Sequence, residues 1–367
     1  MGNALQFDRV VAEVKRLCYA GLDSYRLRTE AMHALRPLLP FDLCCFDTVD
    51  PSTGLVTTTV QEGVTSRQIE RTYLERVYFE DSLPDFQSML QHSVPVACLS
   101  ERTGGRLEQA LRHQLLYKPL GLGDEIRAVF KSRQQMWGTL VMSRDRSDPF
   151  YTERHKMLLK RLAPHLGEGL RAATLRTLAI RPPTEDGSDV PGLIIYHPKG
   201  HVEHYTAAAE RWLAELGALR PGWLRESVPP VVVHMAGAVR RALAIHTEAE
   251  EAAVPQFSVV GRSGRAITVM GHLMQSDDGV GRIGVIFEPA STRELIRFRT
   301  AAFGFSPREQ SIVHLVARGA STQQIADQLR ISPHTVQEHL TNIFDKVGVR
   351  SRREVVKQIF LTNLFGN

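Results

Sequence analysis

Cysteine is scarce. Only Cys18, Cys44, Cys45 and Cys98 occur in 367 residues, with no C-x-x-C pair. Four scattered thiols exclude a disulfide framework and agree with a reducing compartment. Cys44 and Cys45 are adjacent in a stretch that reads as a strand, so they face opposite sides and cannot readily share a metal. Long apolar runs are missing too: nothing approaches the roughly 18 residues that a membrane helix needs. Met1 to Leu17 lacks the basic, apolar, small-residue order of a secretory signal. The expectation is a cytoplasmic chain with no membrane partner. Net charge is only +5, too mild to mark a nucleic-acid binder by itself. His197, His201 and His204 cluster, but the HExxH order is absent and a hairpin turn explains polar residues there, so no metal is expected. GLGDE at Gly121 reads as a turn, and TGGR at Thr103 and GRSGR at Gly261 read first as turns, with anion binding as the competing role. No nucleophile with its base and orienting group can be assembled from the spacing. The sequence predicts neither catalysis nor a cofactor.

What is present is a globular composition, 43% hydrophobic and 23% charged, which fits neither a disordered nor a fibrous chain. The length implies two or three domains. RPPTEDGSDVPG, Arg181 to Gly192, concentrates Pro, Gly, Ser and acids without an apolar period and reads as a linker. Glu288 to Phe305 is a second junction, with a short helix before Gly304. Three units follow: 1–180, 190–288 and 303–367.

The first unit opens with helical patterns. FDLCCFDTVDPSTGLVTTTV then alternates and breaks at Pro51 to Gly54, a hairpin signal. A second strand pair, Glu125 to Lys131 and Trp137 to Ser143, flanks the turn SRQQ. After Pro149 a long helix carries Leu158, Leu162, Leu166 and Leu170 at spacing four, and Pro164 should kink it. Phe46, Tyr78, Phe79, Tyr117, Phe130 and Trp137 are candidates for lining a ligand pocket, with core packing as the competing role. The second unit reads strand, turn, strand, helix through GLIIYHPKGHVEHYTAAAERWLAEL. A further helix, VVVHMAGAVRRALAI, precedes three strands, FSVVGR, AITVMGHLMQ and GRIGVIFEP.

The last 65 residues repeat one helix-start signal. SPRE at Ser306, STQQ at Ser321 and SRRE at Ser351 each place Ser at N-cap with Glu or Gln three residues on. SPHT at Ser332 adds Pro333 at the first helical position. Gly319 and Gly348 sit where left-handed stops are wanted. Four helices result, near 307–318, 322–329, 333–347 and 352–361. Only Arg330, Ile331 and Ser332 separate the second from the third, so that pair must turn sharply, as a helix-turn-helix does. Val336, Leu340, Ile343 and Val347 fall within about 60° of one another at 100° per residue and form a buried stripe. His334, Glu338, Thr341 and Asp345 lie opposite, with Gln337 at one margin. A polar-faced rod of about 22 Å fits a B-DNA major groove. Residues 301–367 also hold eight Lys/Arg against five Asp/Glu, most of the chain's positive excess.

FSPREQSIVHLVARGASTQQIADQLRISPHTVQEHLTNIFDKVGVRSRREVV resembles the LuxR/GerE-type DNA-binding domain almost from end to end. WGTLVMSRDRSDPFYTERHKMLLKRLAPHLGEGL resembles the last strand and departing helix of a GAF sensory domain, and the element order of the second unit resembles a PAS domain. The three together resemble a group of actinobacterial transcription regulators. The implied fold class is α+β: two antiparallel-sheet sensor domains, then an all-α four-helix DNA-binding domain. The resemblance places base reading at Gln337, Glu338 and Thr341; family members often have Lys at the first and last of these, and this chain does not. Gln can bond adenine N6 and N7, and Glu can accept from cytosine N4. His334, Thr335, Asn342, Lys346 and Arg350 are candidates for phosphate contact, with the Ser332 helix N-terminus contributing its dipole. The fourth helix resembles the family's dimer element.

The sequence thus predicts a sequence-specific transcription regulator that binds double-stranded DNA as a homodimer. A small-molecule effector or a protein acts through the sensor units, and RNA polymerase is a further candidate partner. Two rivals stand beside it: an enzyme-like N-terminal region with a regulatory DNA-binding tail, and a constitutive DNA-binding scaffold.

Overall fold

The first sheet is built around strands buried on both faces. Leu43–Val49 (β1) and Val56–Gly63 (β2) pair antiparallel across the Pro51 to Gly54 break, where the Asp50 N–H donates to the Leu55 carbonyl at 2.9 Å. Val96–Cys98 (β3), Leu122–Ser132 (β4) and Gln135–Asp145 (β5) complete it in the order β2-β1-β5-β4-β3. The β4–β5 turn is Arg133 and Gln134 at φ 49° and 67°, the left-handed pair whose twist suits a two-residue hairpin. The protein is described by a computed structural model over residues 2–63, 86–91, 95–180, 190–197, 199–217, 228–245, 254–275 and 277–361. The expected linker falls outside them up to residue 189.

Helices Gly2–Tyr19 (α1), Ser24–Leu35 (α2) and Glu153–Ile180 (α3) cover one face of this sheet. Spacing four puts Leu158, Leu162, Leu166 and Leu170 on one side of α3, and all four are at most 1% exposed. The helix continues through Pro164 without interruption. On the other face Leu99, Leu107, Leu116 and Tyr117 form a separate cluster. Cys44 packs in the first layer and Cys45 against the second, as alternation requires. Burial pushes the Cys18 and Cys98 thiols up to about 12 and lifts Cys44 and Cys45 as well. All four therefore stay protonated and poorly nucleophilic near neutral pH.

Of the six aromatic candidates for a pocket lining, the four among the described residues are packed, which is the competing role. Phe46, Phe130 and Trp137 are 0%, 0% and 1% exposed and belong to one packed core, with the two phenylalanine rings 5.3 Å apart. Tyr117 lies across the sheet and donates its hydroxyl to buried Glu125. Arg112 and Arg127 also pair with Glu125, at 3.0 and 2.8 Å. Strand alternation separates these rings, and close packing leaves no space between those that meet. Tyr78 and Phe79 lie outside the described residues.

The second sheet repeats the same permutation. Gly192–His197 (β6), His201–Tyr205 (β7), Gln256–Val260 (β8), Ala266–Met274 (β9) and Arg282–Pro289 (β10) pair in the order β7-β6-β10-β9-β8. Ala207–Glu215 (α4) and Pro230–Ile245 (α5) cover it over Tyr196, Trp212, Phe257 and Phe287. His197 and His201 face each other across the β6–β7 hairpin with rings stacked at 4.8 Å.

Thr292–Ala302 (α6) follows β10, and then come Pro307–Ala317 (α7), Thr322–Leu329 (α8), Pro333–Val347 (α9) and Arg352–Val356 (α10), which runs on as a wider turn over Lys357–Leu361. The class is α+β, two antiparallel sheets followed by a helical unit. Helix α6 ties the parts together. Phe298 sits in the core of the first unit, edge-on to Trp137 at 6.4 Å. Arg299 Nη1 donates to the Ile359 carbonyl at 3.1 Å. The β4–β5 turn then reaches the helical unit: Arg133 Nη1 donates to the carbonyls of Phe303, 3.1 Å, and Lys346, 2.7 Å.

Candidate nucleic-acid interface

The helix starts read from the sequence set the frame. Ser306 with Glu309 and Ser321 with Gln324 form reciprocal capping boxes. Each satisfies two N–H groups that the first turn leaves without helical partners. SRRE is one-sided: Ser351 accepts from the Glu354 N–H, while the Glu354 carboxylate takes the Arg350 N–H at 2.8 Å. A further full box, Ser291 with Glu294, starts α6; the same S-x-x-E spacing, STRE, could have shown it.

Between α8 and α9 the chain turns through Arg330, at φ 54°. The Ile331 N–H bonds back to the Ala326 carbonyl at 3.0 Å, which closes the end of α8. Ala326 is 2% exposed, and its small side chain lets the two helices cross closely. Ser332 caps α9 by accepting from the Thr335 N–H at 3.0 Å, with Pro333 in the first turn. Gly348, at φ 77°, stops the helix.

Helix α9 is two-faced in the expected register. Val336, Leu340 and Ile343 are at most 1% exposed, and Val347 packs partly buried against the same core. Gln337, Glu338, Thr341, Asn342 and Asp345 are exposed on the other side. His334 and Glu338 stand out with side chains 83% and 64% exposed, 3.7 Å apart. Thr341 Oγ1 donates to the Gln337 carbonyl at 3.1 Å, and Thr335, half-buried, shares a 2.9 Å hydroxyl contact with Ser332. No other element of the described chain covers this row. Gln337, Glu338 and Thr341 therefore form one continuous outward patch, one helical turn long, of donors and acceptors.

Lys346 departs from this face. Its ammonium bonds Glu309 at 2.6 Å and the Gly304 carbonyl at 3.1 Å, inside the domain. Glu309 is 4% exposed. Burial pushes its carboxyl up, but Lys346 and the Ser306 cap outweigh that and hold it below the usual range. Lys346 is a strut here; a phosphate role would require breaking that pair. Arg350 is exposed, with its guanidinium uncommitted among the described residues. Arg330, which the sequence reading did not single out, is also exposed, in the turn beside the N-terminus of α9. A basic residue inside the three-residue turn was the available signal.

Residues 304–359 match the family model described as bacterial regulatory proteins, luxR family. Over 70 residues, 19% of this chain and 33% of the relative, the sequence is 39% identical to the "Probable transcriptional regulator ycf29" of Cyanophora paradoxa. It is 42% identical over 53 residues to the response regulator Rre1 of Synechocystis, covering 14% of this chain and 23% of that one. The matches span a third or less of these relatives. Among solved structures, the GAF domain/HD domain protein from Geobacter sulfurreducens aligns with 42% of this chain and 95% of that one at 18% identity. Its TM-score is 0.30, too loose a likeness to argue from.

Proposed function

Because residues 304–359 are a helix-turn-helix domain of the luxR family, we propose that this protein is a sequence-specific DNA-binding transcription regulator. In this reading α9 enters the major groove and the two sheet units control how it is presented. The observation that carries it is the uncovered row Gln337, Glu338 and Thr341 on a helix whose opposite side is fully packed. A rigid rod with readable donors and acceptors outward is what direct readout needs. Gln337 and Glu338 supply adenine- and cytosine-directed chemistry. Thr335, Asn342, Arg350 and the N-terminus of α9 hold the phosphates, and His334 joins them from the first turn. Arg330 is placed to add another contact.

The regulator works as a homodimer whose tails read half-sites about one duplex turn apart. Its control is exerted by a small molecule or a protein at the sheet units, and RNA polymerase is the partner through which it acts on transcription. The contacts of α6 and the Arg133 turn with the helical unit, and of α6 with the first unit's core, favour this over a tethered, independent tail: they give a change in the first sheet unit a packed route to the DNA-binding domain. Coupling then requires an effector with different affinities for the two arrangements. The experiment is selection of bound duplexes from a random library by the full chain. Enrichment of a paired motif supports the reading, and enrichment of nothing over bulk DNA overturns it.

A further inference from the structure

Where the two sheet units meet, a cavity of about 420 Å³ opens, bordering the first unit's core at Phe298 and apart from the α9 surface. Its walls come from distant parts of the chain: the first turn of α2, the β1–β2 hairpin, Thr174 and Thr177 of α3, the end of α4, strand β8 with its following turn, and Phe298 of α6. Three guanidinium groups line it, from Arg26, Arg28 and Arg262, and among the described residues none forms an ion pair with a carboxylate. Arg28 is 2% exposed. Its bonds go only to uncharged oxygens: the carbonyls of Ser24, Phe46 and Thr58, and Thr58 Oγ1. Arg262, from the second unit, lies over the Tyr25 ring of the first at 5.2 Å.

The two acidic side chains in the wall keep their charge, so the three arginines leave the lining with a net positive charge of one; each carboxylate is turned onto a backbone N–H. Asp23 caps α2 through the Arg26 N–H at 2.9 Å, and Glu215 takes the Ser263 N–H at 3.0 Å. Arg28 is buried with hydrogen bonds to uncharged oxygens only. The Asp47 and Asp23 carboxylates favour its charge without bonding it, and a counter-charge in direct contact would offset more of its burial cost. The lining also offers Val49, Leu216, Val259 and Phe298, an apolar wall suited to a carbon skeleton, and the volume is that of a metabolite site.

We propose that this junction binds a small organic oxyanion, a carboxylate or phosphate ester on an apolar body, held by Arg28 and Arg262. The bound anion bridges the two sheet units and touches Phe298, on the helix that leads into the DNA-binding domain. It is thereby the effector site of the regulator proposed above. That consequence rests on the regulatory reading; the binding itself does not.

The test uses phenylacetate, phenyl phosphate and the uncharged 2-phenylethanol, which share one ring and differ in the head group. Calorimetry on the full chain without DNA should show at least one anion saturating below about 1 mM, and the alcohol about tenfold weaker or worse. Arg262→Ala removes an exposed side chain, so it should keep the thermal unfolding of the free chain while weakening the anion about tenfold and leaving the alcohol unchanged. Equal binding of alcohol and anions, no anion saturating by about 10 mM, or unaltered affinity in Arg262→Ala overturns the site. DNA affinity measured with and without the bound anion is a separate readout: no change there removes the effector role while leaving the site intact.

Discussion

The helical unit and the two-sheet part place their chemistry in opposite ways. In the helical unit one short element carries the functional groups on an open face and buries its other side, so surface and scaffold are the same fifteen residues of α9. In the sheet part the candidate groups come from six separate segments and converge only where two units dock. A surface of the first kind tolerates change outward and none inward. A cleft of the second kind depends on docking as much as on its own side chains. Allosteric control needs both: a rigid reader, and a junction soft enough to have two arrangements.

The comparison is broken most forcefully from inside α9. Leu340→Ala empties a 1% exposed position and should cost about 3 kcal/mol. Denaturant unfolding followed on the helical unit should register that loss, together with loss of DNA binding. Less severe is Lys346→Met, which strands the Glu309 carboxylate. We expect a loss of about 1–3 kcal/mol. Because Glu309 is held below its ordinary value of 4.5, the pair's contribution is complete above that pH and fades as pH falls through the lowered value. Stability curves of wild type and variant should therefore converge in acid, and a gap independent of pH would contradict the pairing.

On the outer face the effects are smaller and fall on binding alone. Gln337→Ala and Thr341→Ala should each relax base preference by about 1–2 kcal/mol with unchanged unfolding. Arg350→Ala should weaken every duplex alike and reduce the salt slope by about one unit. Binding assays over a salt series on matched and mismatched duplexes separate the two classes. Finest of all is Gly304→Ala. Gly304 has φ 67°, and an added Cβ would lie 2.4 Å from the Arg133 Cβ. Strain of more than about 1 kcal/mol should loosen the contact between the β4–β5 turn and the helical unit. Faster hydrogen exchange at residues 132–135, with α9 unaffected, is the expected signature.

The helical unit was legible because its information is local. Ser caps, a three-residue turn and a 3.6-residue stripe lie within 60 positions, and each fixes its own hydrogen bonds. The strand pairs were legible for the same reason, since alternation and turn residues specify hairpins. The inward turn of Lys346 was not, because its partner Glu309 lies 37 residues away and only the folded domain brings them together. Phe46, Phe130 and Trp137 show the limit most plainly. Aromatic composition cannot distinguish a pocket from a core, and here packing made them core. Of the Arg28–Arg262 junction only GRSGR gave a signal, with anion binding as its lesser reading; Arg28 carried no motif, since the site is assembled by docking of whole units.

The most direct test of the central claim compares motifs selected from random duplexes by the full chain and by its Gln337→Ala/Glu338→Ala/Thr341→Ala variant. The reading face predicts a defined motif for the wild type, and for the variant only weak, salt-sensitive binding without sequence preference. The same motif enriched by both would show that DNA is read elsewhere.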